Sequence, residues 1–126
     1  MSGADYPEPA HVVLPEKPEG VEVVAKFFRA LGDPARLRLL EFLLHGERTV
    51  GECVDHIGLS QGRVSSHLAC LADCGYVRRR RDGRRIYYTV VDDRVVELVS
   101  TAQALAADNV AALAACVRVD GEDVRQ

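Results

Sequence analysis

Residues 49–75 carry two helix signatures so close together that only a tight turn fits between them, and this spacing constrains the rest of the chain. Thr49-Val50-Gly51-Glu52 has the form of a capping box, with Thr at the N-cap and Glu three positions later. The short helix that follows places Val50, Cys53, Val54 and Ile57 inward, and Gly58 is a natural C-terminal stop. Only Leu59 separates that stop from Ser60, itself a capping residue. From Ser60 to Gly75, SQGRVSSHLACLADCG, the sequence reads as one amphipathic helix. Val64, Leu68 and Leu71 form its buried stripe, and Ser60, Gln61, Arg63, Ser65, Ser66 and His67 stay outside it. A short helix, a turn with glycine and a second helix with exposed polar residues make the pattern of a helix-turn-helix, whose second helix reads DNA.

The flanks supply a scaffold. Val24, Phe27, Phe28 and Leu31 recur at helical spacing and Gly32 ends that helix. Asp33-Pro34 starts the next, with Asp as N-cap and Pro at the first helical position, and Leu37, Leu40 and Leu44 line its inward stripe. His45-Gly46-Glu47-Arg48 reads as a turn. Downstream of Gly75, two β-prone runs meet at Asp82-Gly83, a strong hairpin signal. A two-residue turn there sets Arg81 opposite Arg84 and Arg80 opposite Arg85. Like charges facing across strands are destabilising, so these four arginines point to an external anion, with a phosphate backbone the obvious one. A solvated, solubilising tip is the plainer alternative. From Asp92 to Val117 apolar residues recur every three or four positions, which predicts one long helix that outlasts the domain and packs on a second copy of the chain.

Composition sets limits. A chain of 126 residues suits one domain, and 48% hydrophobic residues exclude wholesale disorder. The formal charge of -3 does not favour nucleic acid, but the run from Arg78 to Arg85 is locally basic. No apolar run is long enough to cross a bilayer. The N-terminus, MSGADYPEPAHVV, lacks the basic and apolar regions of a signal peptide, so a cytoplasmic location is expected. The division expected is a flexible arm at 1–19, a winged domain at 20–117 and a flexible tail at 118–126. Four cysteines in such a compartment stay reduced and serve as metal ligands, redox sensors or core. Cys53, on the apolar stripe of its helix, reads as core.

The order helix, helix, helix-turn-helix, arginine-rich hairpin and C-terminal helix is that of a winged helix-turn-helix. The stretches FFRALGDPARLRLLEFLL and LSQGRVSSHLACLADCGYVRRRRDGRRIYYTV resemble the ArsR/SmtB family of bacterial metal-sensing repressors over roughly residues 21–117. The fold class expected is α+β, mostly α, with a two-stranded β-hairpin wing and a long C-terminal dimerisation helix. The resemblance implies a homodimer that binds a palindromic operator and leaves it when an inducer binds. Two sensing sites of that family have no counterpart here. Thr49-Val50-Gly51-Glu52 holds no cysteine pair where a CVC-type motif would stand, and the C-terminal helix holds no histidine. A third arrangement, that of the CmtR-type cadmium/lead sensors, has two cysteines four apart late in the recognition helix and a third from the C-terminal region of the other subunit. Cys70, Cys74 and Cys116 look like that pattern.

Chemistry supports the same reading. Cys70 and Cys74 lie at i and i+4, on one face and one turn apart, so two thiolates can share a metal. Cys116 supplies a third if the C-terminal helix crosses the recognition helix, within a subunit or across a dimer. Thiolates select soft or borderline ions, which orders the inducers as Cd(II) and Pb(II), then Hg(II) or As(III), then Zn(II). Water, His67 or His11 could be a fourth ligand. The expected function is a metal-responsive repressor of a resistance gene. The alternatives are a thiol redox sensor on the same scaffold and a winged-helix module that binds protein. No nucleophile, base and orienting group form a recognisable catalytic motif, so no enzyme is expected.

Overall fold

A computed structural model describes residues 19–120. His11 and most of the N-terminal arm lie outside the described residues, as does the C-terminal tail beyond 120. The element order is α1 (Glu19–Leu31), α2 (Pro34–Leu43), β1 (Arg48–Thr49), α3 (Val50–Ile57), α4 (Gln61–Asp73), β2 (Arg78–Asp82), β3 (Arg85–Thr89), α5 (Asp93–Asp108) and α6 (Val110–Ala114).

The helix ends fall where the capping chemistry puts them. Asp33 accepts the N–H groups of Ala35 and Arg36, with Pro34 at the first helical position of α2. Thr49 and Glu52 make the reciprocal capping box of α3, and Gly58 ends that helix with a φ of 76°. The Ser60 side chain accepts from the Arg63 N–H to open α4. At its other end the Tyr76 N–H donates to the Leu71 carbonyl and the Gly75 N–H to that of Ala72. This is a Schellman closure, and it needs the left-handed φ of 88° that Gly75 adopts. One core joins these helices: Leu39, Leu40 and Leu43 of α2, Cys53 of α3, and Val64, Leu68 and Leu71 of α4 are 0–1% exposed. Each leucine there contributes about 1.5–3 kcal/mol of burial, enough to hold the helix-turn-helix pair rigidly on α2. Within α2 the expected stripe holds at Leu40, which is fully buried, but its other buried members are Leu39 and Leu43, while Leu37 and Leu44 are half-buried.

The expected two-stranded hairpin is present as β2 and β3. It gains a third strand that the sequence does not announce, since β1 pairs with β3 to give an antiparallel sheet of order β1-β3-β2. Arg48 belongs to that strand rather than to the preceding turn, and two residues carry too little periodicity to announce a strand. Two further expectations are corrected, the place of the hairpin turn and the continuity of the C-terminal helix. The hairpin turn falls one residue later than expected, on Gly83-Arg84, with Asp82 opposite Arg85, Arg81 opposite Ile86 and Arg80 opposite Tyr87. A positive φ at Gly83 alone (63°) fits a two-residue turn with glycine first, and the shift removes the facing arginine pairs from which an external anion is inferred in the sequence. Finally, the long C-terminal helix is interrupted. Asn109 turns its side-chain amide onto the Leu105 carbonyl at 2.8 Å, and this local bond competes with helix continuation. Helix α5 stops there, α6 ends at Ala114, and Cys116 follows outside it.

The first half of α5 belongs to the core through Val95 and Val99. Beyond Val99 its apolar side chains are out in the open. Leu105, Val110 and Leu113 are more than half exposed, and so is Phe28 of α1. So much exposed aliphatic and aromatic surface on three helices, α1, α5 and α6, is unusual for a monomer.

Candidate functional site

Rigidly mounted on α2 and α3, the N-terminal half of α4 projects its polar residues in two directions. Gln61 and Ser65, four apart, line a cleft with Thr49, Arg84 and Arg85, between the start of α3 and the wing. Arg63 and His67, also four apart, line a second cleft against Asp33 and Arg38 of the α2 side. Ser66 is exposed on the same helix. Ser60 is exposed too, but its hydroxyl oxygen already accepts the Arg63 N–H at 3.3 Å, so its first duty is to cap.

The wing arginines divide. Arg81, Arg84 and Arg85 are exposed and form no ion pair among the described residues. Arg80 is engaged. Its Nε and Nη2 donate to the two carboxylate oxygens of Glu47 at 2.8 and 2.6 Å, and its guanidinium lies 4.4 Å over the Tyr87 ring. Hydrogen bonding from Arg80 holds the Glu47 carboxyl below its ordinary range. Arg80 therefore ties the wing to the loop before β1, a role that its place in an arginine run conceals. Sequence reasoning does not single out Glu47. Its signal, an acid just before a short strand that joins the wing sheet, is visible only once the sheet order is known. Arg78 and Arg79 are also exposed and extend the basic surface.

The C-terminal end of α4 carries the thiols. Cys70 is in the last turn, Cys74 is the C-cap, and both are half-buried against the core. The two side chains interact. Burial raises the Cys74 thiol above its usual value near 9, the neighbouring Cys70 raises it further, and Lys26 of α1 partly offsets this. Beside them Tyr76 stacks on Phe27 with ring centroids 4.2 Å apart and donates its hydroxyl to the Phe27 carbonyl at 2.7 Å. The thiol pair thus sits against the joint between α1 and the end of α4. Cys53 is fully buried, with its thiol pushed up to about 11 by burial, as suits a core residue. Cys116 lies on a different surface, in an apolar groove with Leu105, Asn109 and Leu113. Among the described residues of one chain, no three His, Cys, Asp or Glu side chains converge as a metal site. The donor set nevertheless suits a soft ion: two adjacent thiols one helical turn apart.

Comparison with known proteins gives this arrangement a context. Residues 33–79 match the family described as bacterial regulatory protein, arsR family. The chain is 60% identical over 101 residues to a "Probable mercury resistance operon repressor" of Streptomyces lividans, covering 80% of this chain and 81% of that one. It is 38% identical over 89 residues to the HTH-type transcriptional regulator CmtR of Mycobacterium tuberculosis, covering 68% and 75%. A solution structure of a homodimeric winged helix-turn-helix DNA-binding domain from Mycobacterium bovis superposes with a TM-score of 0.67 at 29% identity, covering 78% of this chain and 92% of that one.

Proposed function

Since the chain belongs to the ArsR family of bacterial regulatory proteins, we propose that it is a homodimeric repressor which leaves its operator when a thiophilic metal bridges cysteines of the two subunits. The family and the relatives are DNA-binding transcriptional regulators, not enzymes, and the winged helix-turn-helix is the fold of the structural neighbour. No helix among the described residues is long and apolar enough to cross a membrane. The proposed place of action is the cytoplasm.

One observation carries the metal reading: two interacting thiols at the end of the helix that would lie in the major groove. Two ligands are too few for tight binding. The third is Cys116 of the partner subunit, because Cys116 stands apart from Cys70 and Cys74 within one chain and beside the exposed apolar surface of α5 and α6. Pairing that surface, together with exposed Phe28 of α1, across a two-fold axis removes it from water and brings a second C-terminal segment into play. The sequence places Cd(II) and Pb(II) ahead of Hg(II). The 60% identical relative is named for mercury resistance, and on that support Hg(II) becomes the first candidate inducer, followed by Cd(II), Pb(II) and As(III), with Zn(II) last.

In the metal-free dimer the two copies of α4 enter successive major grooves, with Gln61, Arg63, Ser65, Ser66 and His67 facing the bases and phosphates. Arg81, Arg84 and Arg85 follow the backbone and add affinity more than specificity. Ligation at Cys70 and Cys74 acts on the last turn of α4, beside the Tyr76–Phe27 contact with α1, so the metal and the operator compete for the geometry of one helix. A coupling of about 1–3 kcal/mol is sufficient to change occupancy severalfold to a hundredfold. A redox-sensing role is less well supported, because reactive cysteines have lowered pKa values and the Cys74 thiol is raised. The test is release of a labelled duplex by Hg(II), compared between wild type and Cys70→Ser. Release is expected only from the wild type. Equal release from Cys70→Ser would remove Cys70 from the site.

A further inference from the structure

We propose that Arg36 selects the tautomer of His67, so that the recognition helix presents the imidazole Nε2–H outward as a hydrogen-bond donor to DNA. The consequence rests on the DNA-reading role of α4; the tautomer itself rests on geometry alone. Arg36 sits in the first turn of α2 and is fixed from three sides. Its Nε donates to the Ala30 carbonyl at 2.6 Å and its Nη2 to the Arg29 carbonyl at 3.4 Å. Both acceptors belong to the end of α1, where the Arg29 carbonyl also accepts the Gly32 N–H at 3.0 Å. Its Nη1 lies 3.9 Å from the Asp33 carboxylate, itself held by the Ala35 and Arg36 N–H groups. The same Nη1 lies 3.5 Å from Nδ1 of His67 on α4.

A guanidinium has five N–H donors and no acceptor. The shared hydrogen must therefore come from Arg36, and Nδ1 of His67 must be the bare nitrogen. A neutral imidazole with a bare Nδ1 carries its proton on Nε2. Nε2 is the ring nitrogen away from Arg36, and His67 shares the cleft between α2 and α4 with Arg63. The partner this fits is a hydrogen-bond acceptor on the duplex: a base edge such as guanine N7 or O6, or a phosphate oxygen. Arg36 is accordingly a positioning residue. It touches no DNA in this scheme, but joins the end of α1 to the orientation and protonation of a side chain on the reading helix. Its place at the Gly32-Asp33 elbow, remote in sequence from His67, gives no hint of this until the helices are packed.

The first measurement needs no DNA. In a long-range 1H–15N correlation spectrum of the reduced, DNA-free protein, the His67 ring should show an unprotonated Nδ1 and a protonated Nε2. Arg36→Gln should erode that preference, and Arg36→Lys, which keeps the charge but not the fork, should retain it only in part. An Nδ1–H tautomer in the wild type, or a pattern indifferent to both substitutions, would overturn the proposal. The second measurement leaves Arg36 intact, so it does not depend on those variants folding. The probe is a duplex selected by this protein from a random-sequence pool. A glutamine amide nitrogen reaches the place of Nε2 and that of asparagine the place of Nδ1. His67→Gln should stay within about threefold of wild-type affinity while His67→Asn loses about tenfold. Loss confined to one base pair identifies a base acceptor, and uniform loss with a shallower salt dependence identifies a phosphate; both support the donor. Equal loss in the two variants would overturn it. A wild type that binds no duplex would instead overturn the DNA reading, while the spectrum still decides the tautomer.

Discussion

Arginines three or four residues apart in one wing should make different contributions to DNA binding, because one is already engaged. Each phosphate neutralised on duplex DNA contributes about 0.9 to the slope of log affinity against log salt. Arg84 is exposed in the turn of the wing with no carboxylate partner among the described residues. Replacing it with alanine should lower the slope by up to about 0.9 per subunit, about 1.8 in a dimer. Between about 50 and 200 mM salt, that difference is about tenfold in how steeply affinity falls. Arg80 should behave otherwise, since Glu47 takes its Nε and Nη2 at 2.8 and 2.6 Å and Tyr87 covers the guanidinium. Arg80→Ala should leave the slope nearly unchanged, and Glu47→Gln, which loosens Arg80, should steepen it. Fluorescence anisotropy of a labelled duplex across a salt series reads all three, and a non-specific duplex suffices. If Arg80→Ala flattens the slope as much as Arg84→Ala, and Glu47→Gln does nothing, the division of the wing into a clamp and a set of phosphate ligands is wrong.

Metal affinity should rise with pH, because the Cys74 thiol is raised above its usual value near 9 and enters neutral solution protonated. Binding must displace that proton, so between about pH 6 and 8 the apparent affinity gains about tenfold per unit from Cys74 alone; competition with a chelator of known affinity measures it, and a flat profile would take Cys74 out of the ligand set. Gly75→Ala should cost about 1–2 kcal/mol, since the position has a φ of 88° and the space where a methyl group would stand is open, so the cost is backbone strain alone. Thermal unfolding that matches wild type would contradict the Schellman closure. Cys53, fully buried with its thiol at about 11, should resist iodoacetamide in the native protein and react once the protein is unfolded; mass spectrometry showing equal rates in the two states would refute its assignment to the core.

The helix-turn-helix was legible because its signals are local. Capping boxes, glycine stops and a 3.6-residue stripe act within a few residues, and Thr49, Gly58, Ser60 and Gly75 each fix a helix end on their own. What eluded the sequence depends on long-range pairing. Strand β1 is two residues long and exists only because β3 is beside it. The turn lies at Gly83-Arg84 instead of Asp82-Gly83, a two-unit change in register that keeps every side chain on its face yet replaces each facing arginine pair. Asn109, inside an otherwise continuous apolar pattern, breaks the helix through one side-chain hydrogen bond. In the site, spacing announced the Cys70–Cys74 pair but could not place Cys116, since its position depends on that break. Arg36 and Glu47 were invisible for the same reason: their partners are 31 and 33 residues away.

A mixed dimer distinguishes a thiolate site shared between subunits from one held within a subunit. One subunit carries Cys70→Ser with Cys74→Ser, and its partner carries Cys116→Ser. A site across the dimer leaves one complete set of Cys70, Cys74 and Cys116, with the pair from one subunit and the third cysteine from the other. A shared site should hold one tightly bound Hg(II) per mixed dimer, with the ultraviolet thiolate-to-metal absorption of one wild-type site. If each site belongs to a single subunit, the mixed dimer has no complete set. Its absorption would then match that of the Cys116→Ser homodimer at best, and a shared site would be contradicted.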